Sequence, residues 1–342
     1  MILSEASPSA MAREIAEVPA ATERLLSGPR HVVAAARRIR EFDPRFVVIC
    51  GRGSSGHVGT FLRYLIEVRA RLLVSFSAPS VVTTYRQTHD MRQILFVVIS
   101  QSGRSPDLIA SSEQARRAGA LTVALVNDPS SPVAAATELV VPIEAGPEHS
   151  VAATKTVVLS MAQCAQLVAY VTADQELMTG IERLPQRFHA ALSCDWSGWG
   201  SCLHAARAAF VIARGYGLGT AKEIALKLNE TMQLPASGYS AAEFRHGPLA
   251  AVAANTPLLA LSSSETASRL VDRLVHDMND RRLNAFAAGG AEGTLPWIGD
   301  DHPACDAIAM LLPAYIAIER AARAQGFDPD RPTSLAKVTE TF

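Results

Sequence analysis

Short runs of β-branched and apolar residues, each returning after a stretch of helical composition, set the strongest limit on how this chain can fold. Five come early, "RFVVIC" (45–50), "RLLVSF" (71–76), "ILFVVIS" (94–100), "LTVALVN" (121–127) and "ELVVPIE" (138–144). Three follow in the second half, "AAFVIARG" (208–215), "PLLALSS" (257–263) and "NAFAAGG" (284–290). A strand that is apolar on both faces must be covered on both faces, and helix-length connections between such strands mean parallel pairing. The pattern predicts an α/β protein with a parallel sheet, built twice.

The doubling has a register. Sliding the second half back by 162 positions lays Arg214 and Gly215 on Arg52 and Gly53, and Ser264 on Ser102. Both strand-end loops then coincide, as an internal duplication requires. Ahead of the first strand, "MAREIAEVPAATERLL" and "HVVAAARRIREF" space apolar residues in threes and fours and end at "DP", the mark of a helical arm. The division expected is an arm over 1–40, a first domain over 41–183, a second over 200–327 and a tail over 328–342. Between the domains, "LPQRFHAALSCDWSGWG" (184–200) mixes Pro, Gly, Ser and aromatics as a junction.

Composition excludes several classes. With 49% hydrophobic residues, 19% charged and a net charge of -1, the chain can bury a large core and has no bulk pull toward nucleic acid or an anionic membrane. The five cysteines are odd in number and scattered, without a CxxC pair, which argues against a disulfide framework and a zinc site and for a reducing cytoplasm. The start "MILSEASPSAMAREI" is acidic where a secretory signal would be basic. No metal, cofactor, nucleic acid or membrane is expected.

Ligands of open parallel sheets sit beyond the carboxyl ends of the strands, and two such ends carry polar loops here. "CGRGSSGHVG" (50–59) offers Ser54 and Ser55, and "SQSGRSPD" (100–107) offers Ser100, Gln101, Ser102 and Ser105. Hydroxyls and amides at helix starts, with little fixed charge, suit a phosphate monoester. Serines that merely cap helices would look the same. In the second half, Glu223, Lys227 and Glu230 fall on one helical stripe, either an exposed ion-pair ladder or a site. Glu230 ends that helix, where the dipole disfavours a carboxylate. His246 sits in the polar loop "EFRHGPL", and Lys337 in a tail that approaches through Pro332.

These motifs resemble the sugar isomerase (SIS) domain proteins, above all the isomerase half of glucosamine-6-phosphate synthase and the stand-alone glucosamine-6-phosphate deaminases. The resemblance runs through "MAREIAEVPAA", "CGRGSSGHVG", "SQSGRSPD", "AGPEHSVAATKT", "ARGYGLGTAKEIALKLNE", "SAAEFRHGPLA" and "PTSLAKVTETF". It implies two SIS-type, flavodoxin-like parallel-sheet sandwiches in tandem, associated as a homodimer. It implies a phosphate cup of Ser54, Ser55, Ser100, Gln101, Ser102 and Ser105, with Val151 touching the sugar through its backbone. Glu230 becomes the base between C1 and C2, His246 the ring opener offered across the dimer, and Lys337 the lysine at the substrate carbonyl. Glu223 and Lys227 become supporting residues. Two positions depart from the pattern: "GRSPD" replaces an acidic "GET" form and leaves Arg104 beside the cup, and Thr333 stands where the synthases have arginine. Those synthases begin with an amidotransferase cysteine, whereas this chain begins Met1-Ile2, so the reaction expected is deamination of glucosamine 6-phosphate to fructose 6-phosphate and ammonia. Cleavage of a fructosamine 6-phosphate and non-catalytic sugar-phosphate sensing are the alternatives.

Overall fold

The computed structural model describes residues 7–299 and 301–337, so the first six residues of the arm and the last five of the tail lie outside the described residues. Two wholly parallel sheets form the frame. The first contains β1 (Phe46–Cys50), β2 (Leu73–Phe76), β3 (Ile94–Ser100), β4 (Leu121–Val126) and β5 (Leu139–Pro142) in the order β2-β1-β3-β4-β5. The second contains β6 (Ala209–Ala213), β7 (Ala236–Ser240), β8 (Leu258–Leu261) and β9 (Ala285–Ala288) in the order β7-β6-β8-β9. Both are doubly wound in the flavodoxin-like sense, and both reverse direction between their first and third strands. The order of the second sheet reproduces that of the first without its last strand. Gly53 and Gly215, aligned by the sequence offset, both take positive φ, 50° and 62°.

Sequence reading found every strand except β7. Its sequence "ASGYS" carries no apolar run, because it is an edge strand paired only with β6, from Ala209↔Ala236 to Ala213↔Ser240. The central strands behave as expected: β4 is buried at all six positions and pairs with β3 through Val97↔Val123 and Ile99↔Leu125.

The junction differs from its loop-like composition. Leu184–Ala191 and Ser197–Cys202 are helical, and Trp196 and Trp199 are buried with their rings edge to face at 6.2 Å. The Trp196 indole donates to the Pro296 carbonyl at 2.8 Å, so the aromatics bind the junction to the second half. The Lys155–Thr172 helix is buried at every position from Lys155 to Ala169, which accounts for its lack of a polar face.

One contact between the halves decides where the site forms. The Gly217–Met232 helix packs on the Gly53–Leu65 helix, and a Cβ on Gly219 would stand 2.7 Å from the His57 carbonyl and 2.9 Å from Phe61. Only glycine lets the two backbones come this close. The carbonyl ends of both sheets are thereby joined through these helices.

Candidate active site

The switch point of the first sheet lies between β1 and β3, and their following loops open on a cavity of about 220 Å³. Ser54, Ser55, Ser100, Gln101, Ser102, Ser105, Val151, Glu230 and Lys337 all line it, with Arg52, Leu108 and the tail residues Leu335 and Ala336. Capping does not explain the serines. Arg52, not a serine, is the N-cap of the Gly53–Leu65 helix, and Ser105 occupies the N-cap of Pro106–Arg117 without a side-chain capping bond. Ser100 Oγ accepts from Gly103 N–H at 3.1 Å and Ser102 Oγ from Arg104 N–H at 3.3 Å, which leaves both hydroxyl protons to donate. Two helix N-termini and a set of hydroxyls therefore converge on one space, an arrangement that holds an anion.

Ser54 is the exception. Its hydroxyl donates to Glu223 Oε1 at 3.1 Å and accepts from Lys227 Nζ at 3.2 Å. It joins the cup to the second half rather than standing free for a ligand.

Glu223 and Lys227 form no exposed ladder: both side chains are 0% exposed, with Nζ 3.3 Å from Glu223 Oε1. Lys227 also pairs with Glu230 Oε2, while His57 Nδ1 lies 3.0 Å from Glu223 Oε2 and the Tyr315 hydroxyl donates to Oε1 at 3.3 Å. Burial would push the Lys227 pKa down, but Glu223 and Glu230 outweigh it and hold the ammonium above its ordinary value. Burial would raise Glu223, yet Lys227, His57 and Ser54 together bring it below the usual carboxylate value. Glu230 goes the other way: burial dominates and Glu223 adds repulsion, so its pKa is raised despite the Lys227 pair. Glu223 has hydrogen bonds from His57 and Ser54 besides the shared cation and Glu230 does not, so the proton affinities of the two carboxylates are driven apart. A carboxylate with a raised pKa thus lines the cavity at 20% side-chain exposure.

The opposite wall is made by loop and tail. Lys337 Nζ donates to Glu148 Oε2 at 3.1 Å and to the Ser150 carbonyl at 2.5 Å. Glu148 also accepts from Thr154 N–H, Thr156 N–H and Thr156 Oγ at 3.1, 3.0 and 2.7 Å. The Val151 N–H is taken by the Asp330 carbonyl at 3.0 Å, so the carbonyl is the backbone group Val151 has to offer. The arm reaches the same loop. Glu14 accepts the His149 and Ser150 N–H groups, and the Asp330 carboxylate accepts Ala10 and Met11 N–H at 2.7 and 2.8 Å. Glu14 and Asp330 carried no sequence signal that set them apart from ordinary helix and tail carboxylates. Thr333 accepts from Gln233 Nε2 at 2.6 Å, fastening the tail to the end of the Gly217–Met232 helix.

His246 is not brought to this cavity. It is exposed after the Ala241–Arg245 helix. A larger open groove, about 680 Å³, runs along Leu218, Lys222, Ala225 and Asn229 and takes in His57, Tyr64 and Glu243. It contains none of the cup residues Ser54, Ser55, Ser100, Gln101, Ser102 and Ser105, which all line the smaller cavity. Arg104 turns away to Asp128 at 3.1 Å, and Arg52 is the arginine on the cavity wall. In the second half the matching switch point is filled from within. The Glu265 carboxylate accepts from Ser263 Oγ at 3.2 Å and from the Tyr216 N–H, and its Oε1 lies 2.5 Å from where a Gly215 Cβ would be. Among the described residues, no group of three or more His, Cys, Asp or Glu side chains could hold a metal, and no helix is long and apolar enough to cross a membrane.

Residues 42–170 and 202–284 match the model of the SIS domain. Glutamine–fructose-6-phosphate aminotransferase [isomerizing] from Symbiobacterium thermophilum is 30% identical over 96% of the chain, and that from Zymomonas mobilis 29% over 96%. The chain spans 58% of the length of each. Among solved structures, a presumed phosphosugar isomerase from Silicibacter pomeroyi DSS-3 is 36% identical with a TM-score of 0.91, covering 94% of this chain and all of that one. Glucosamine-6-phosphate deaminase from Thermotoga maritima shares the fold, with a TM-score of 0.79 at 18% identity, covering 97% of this chain and 100% of that one.

Proposed function

Since this chain belongs to the SIS domain family, we propose that it is a phosphosugar aldose–ketose isomerase acting on an amino-sugar phosphate, with deamination of glucosamine 6-phosphate as its reaction. The observation that carries this reading is the placement of Glu230, a carboxylate of raised pKa, across one small cavity from a cup of hydroxyls and helix N-termini. The isomerase-type relatives support it.

The phosphate sits on Ser55, Ser100, Gln101, Ser102 and Ser105 and fixes the carbon chain, so that remote binding energy orients the reacting end. Glu230 takes the proton from C2 of the opened amino aldose and returns it to C1, converting the 2-amino aldehyde into the 2-imine of the ketose. Water adds at C2, ammonia leaves, and fructose 6-phosphate remains. At modest free ammonia, mass action favours release. Such general base assistance contributes about 10²–10⁴-fold. The raised pKa suits the task, because burial gives this carboxylate a greater proton affinity than an ordinary one has. Glu223 and Lys227 hold Glu230 in place from below. Lys337, ion-paired with Glu148, serves as a fixed positive charge for the oxygen at C1. His246 opens the ring from a second copy of the chain, docked along the groove that Glu243 lines.

The test is a substrate panel on the purified chain. Ammonia release from glucosamine 6-phosphate, abolished in Glu230→Gln, is the expected result. Amine release from a fructosamine 6-phosphate alone would keep the proton shift and change the leaving group. Tight sugar-phosphate binding without turnover would overturn the enzyme reading in favour of a sensor.

A further inference from the structure

We propose that Arg52 makes the cavity selective for the doubly charged form of a phosphate monoester, an assignment that rests on the sugar-phosphate reading above. Arg52 lines the cavity at the N-cap of the Gly53–Leu65 helix. Its Nε and Nη2 both donate to Asp107 Oδ2, at 3.0 and 2.8 Å. Asp107 is 3% exposed and uses its other oxygen on Leu108 N–H at 2.9 Å, in the first turn of Pro106–Arg117. One edge of the guanidinium therefore ties together the two helix starts that frame the cup. The other edge, Nη1, makes no hydrogen bond with any described residue.

Two consequences follow. Asp107 places a negative charge within the cup's own framework, and without Arg52 it would repel a phosphate. Arg52 is also the cation with donors to spare. Lys337 keeps one N–H after Glu148 and Ser150, which the reading above directs to the oxygen at C1, while Lys227 is spent on Glu223, Glu230 and Ser54, and Arg104 on Asp128 outside the cavity lining. Hydroxyls and backbone N–H groups bind mono- and dianion with modest preference, whereas a fixed cation favours the second charge. Lysine would serve this place less well, since its compact ammonium lacks the planar fork that grips Asp107 through two donors and still presents a separate edge to a phosphate.

Calorimetric binding of glucitol 6-phosphate, an acyclic sugar phosphate with no carbonyl to react, tests this across pH 5 to 8. Glu148, Glu223, Glu230, Lys227, Lys337 and His57 also face the cup and are common to wild type and variants, whereas Asp107 loses its partner in Arg52→Gln and adds its repulsion to the loss expected there. Wild type should tighten as the phosphate loses its second proton, near pH 6. Arg52→Gln should bind about tenfold more weakly above that pH, a figure at the low end for a charged hydrogen bond because the side chain is 55% exposed. It should also lose most of the pH dependence. Arg52→Lys keeps a countercharge for Asp107 and so protects the fold, and it should still bind several-fold more weakly. Wild-type affinity and pH dependence in either folded variant overturns the assignment. Binding that depends on Arg52 in a chain that releases no ammonia would sink the deaminase and leave Arg52 standing; ammonia release with KM unchanged in Arg52→Gln would do the reverse.

Discussion

Replacing Lys227 by methionine strips the charge from the centre of the buried network while keeping its volume. At 3.3 Å and an effective dielectric of about 20, the Lys227–Glu223 attraction is about 5 kcal/mol. Glu223 has a cheaper escape than staying charged and alone. Protonating a carboxylate of ordinary pKa at pH 7 costs about 3.7 kcal/mol, so that route sets the ceiling of the penalty. The predicted loss is therefore about 3–4 kcal/mol at pH 7, within the range for breaking a buried pair, and about 1 kcal/mol at pH 5. The sign follows from the shifts. In wild type the Glu223 pKa is lowered, so its contribution is present above the unfolded value and lost only as pH falls through the folded one. In the variant the folded pKa lies above the unfolded one, and stability is lost as pH rises toward it. Thermal unfolding followed by circular dichroism should give a melting temperature lower by about 5 °C at pH 7 and by about 1 °C at pH 5. Adding Glu223→Gln to Lys227→Met should remove the part of the extra slope that Glu223 contributes and leave that of Glu230, the other partner of Lys227. A single variant that melts within about 2 °C of wild type at pH 7 would refute the reasoning, and so would a penalty that does not change with pH.

Glu230→Gln should lower kcat by about 10²-fold or more with KM nearly unchanged, while Ser102→Ala should chiefly raise KM. Because burial raises the Glu230 pKa, the wild-type rate should climb with pH through a limb above the ordinary carboxylate range, and a limb at the ordinary value would count against this base. Mixing Glu230→Gln with His246→Asn, each inactive alone on the cyclic substrate, should restore about a quarter of wild-type activity: about half the dimers are mixed and one site in each is intact. No recovery after verified subunit exchange would remove His246 from the neighbouring site. Gly219→Ala should cost about 1–3 kcal/mol in denaturant unfolding, because its Cβ meets the His57 carbonyl at 2.7 Å and the helices must part. An unchanged midpoint would mean that the contact yields freely.

The anion loops were legible because the end of a parallel strand and a polar helix start are local patterns, and Ser100–Ser105 needed no tertiary information. Lys227 was not. Its stripe with Glu223 reads equally as a solvent-facing ladder, and only the Gly53–Leu65 helix, brought close at Gly219, turns that stripe inward. The same helix contact takes Ser54 out of the free cup. Arg104 was placed beside the cup, and Arg52 passed over, for a related reason. Arg104 is nearer in sequence to the serines, but Asp128 draws it outward, whereas Arg52 is directed by Asp107, a residue 55 positions away. The edge strand β7 escaped because edge pairing asks little of side chains.

The carboxylate of Glu265 has a bearing on stoichiometry. A chain made of two copies of one architecture could hold an anion at each switch point, yet the second is already satisfied by a side chain of the protein itself, which accepts the Ser263 hydroxyl and the Tyr216 N–H. The duplication has thus become a division of labour within one polypeptide: one copy keeps an open seat for a ligand, and the other spends its seat on bracing the start of the helix that carries Glu223, Lys227 and Glu230. Each chain should accordingly take up a single equivalent of sugar phosphate, however symmetrical its two sheets.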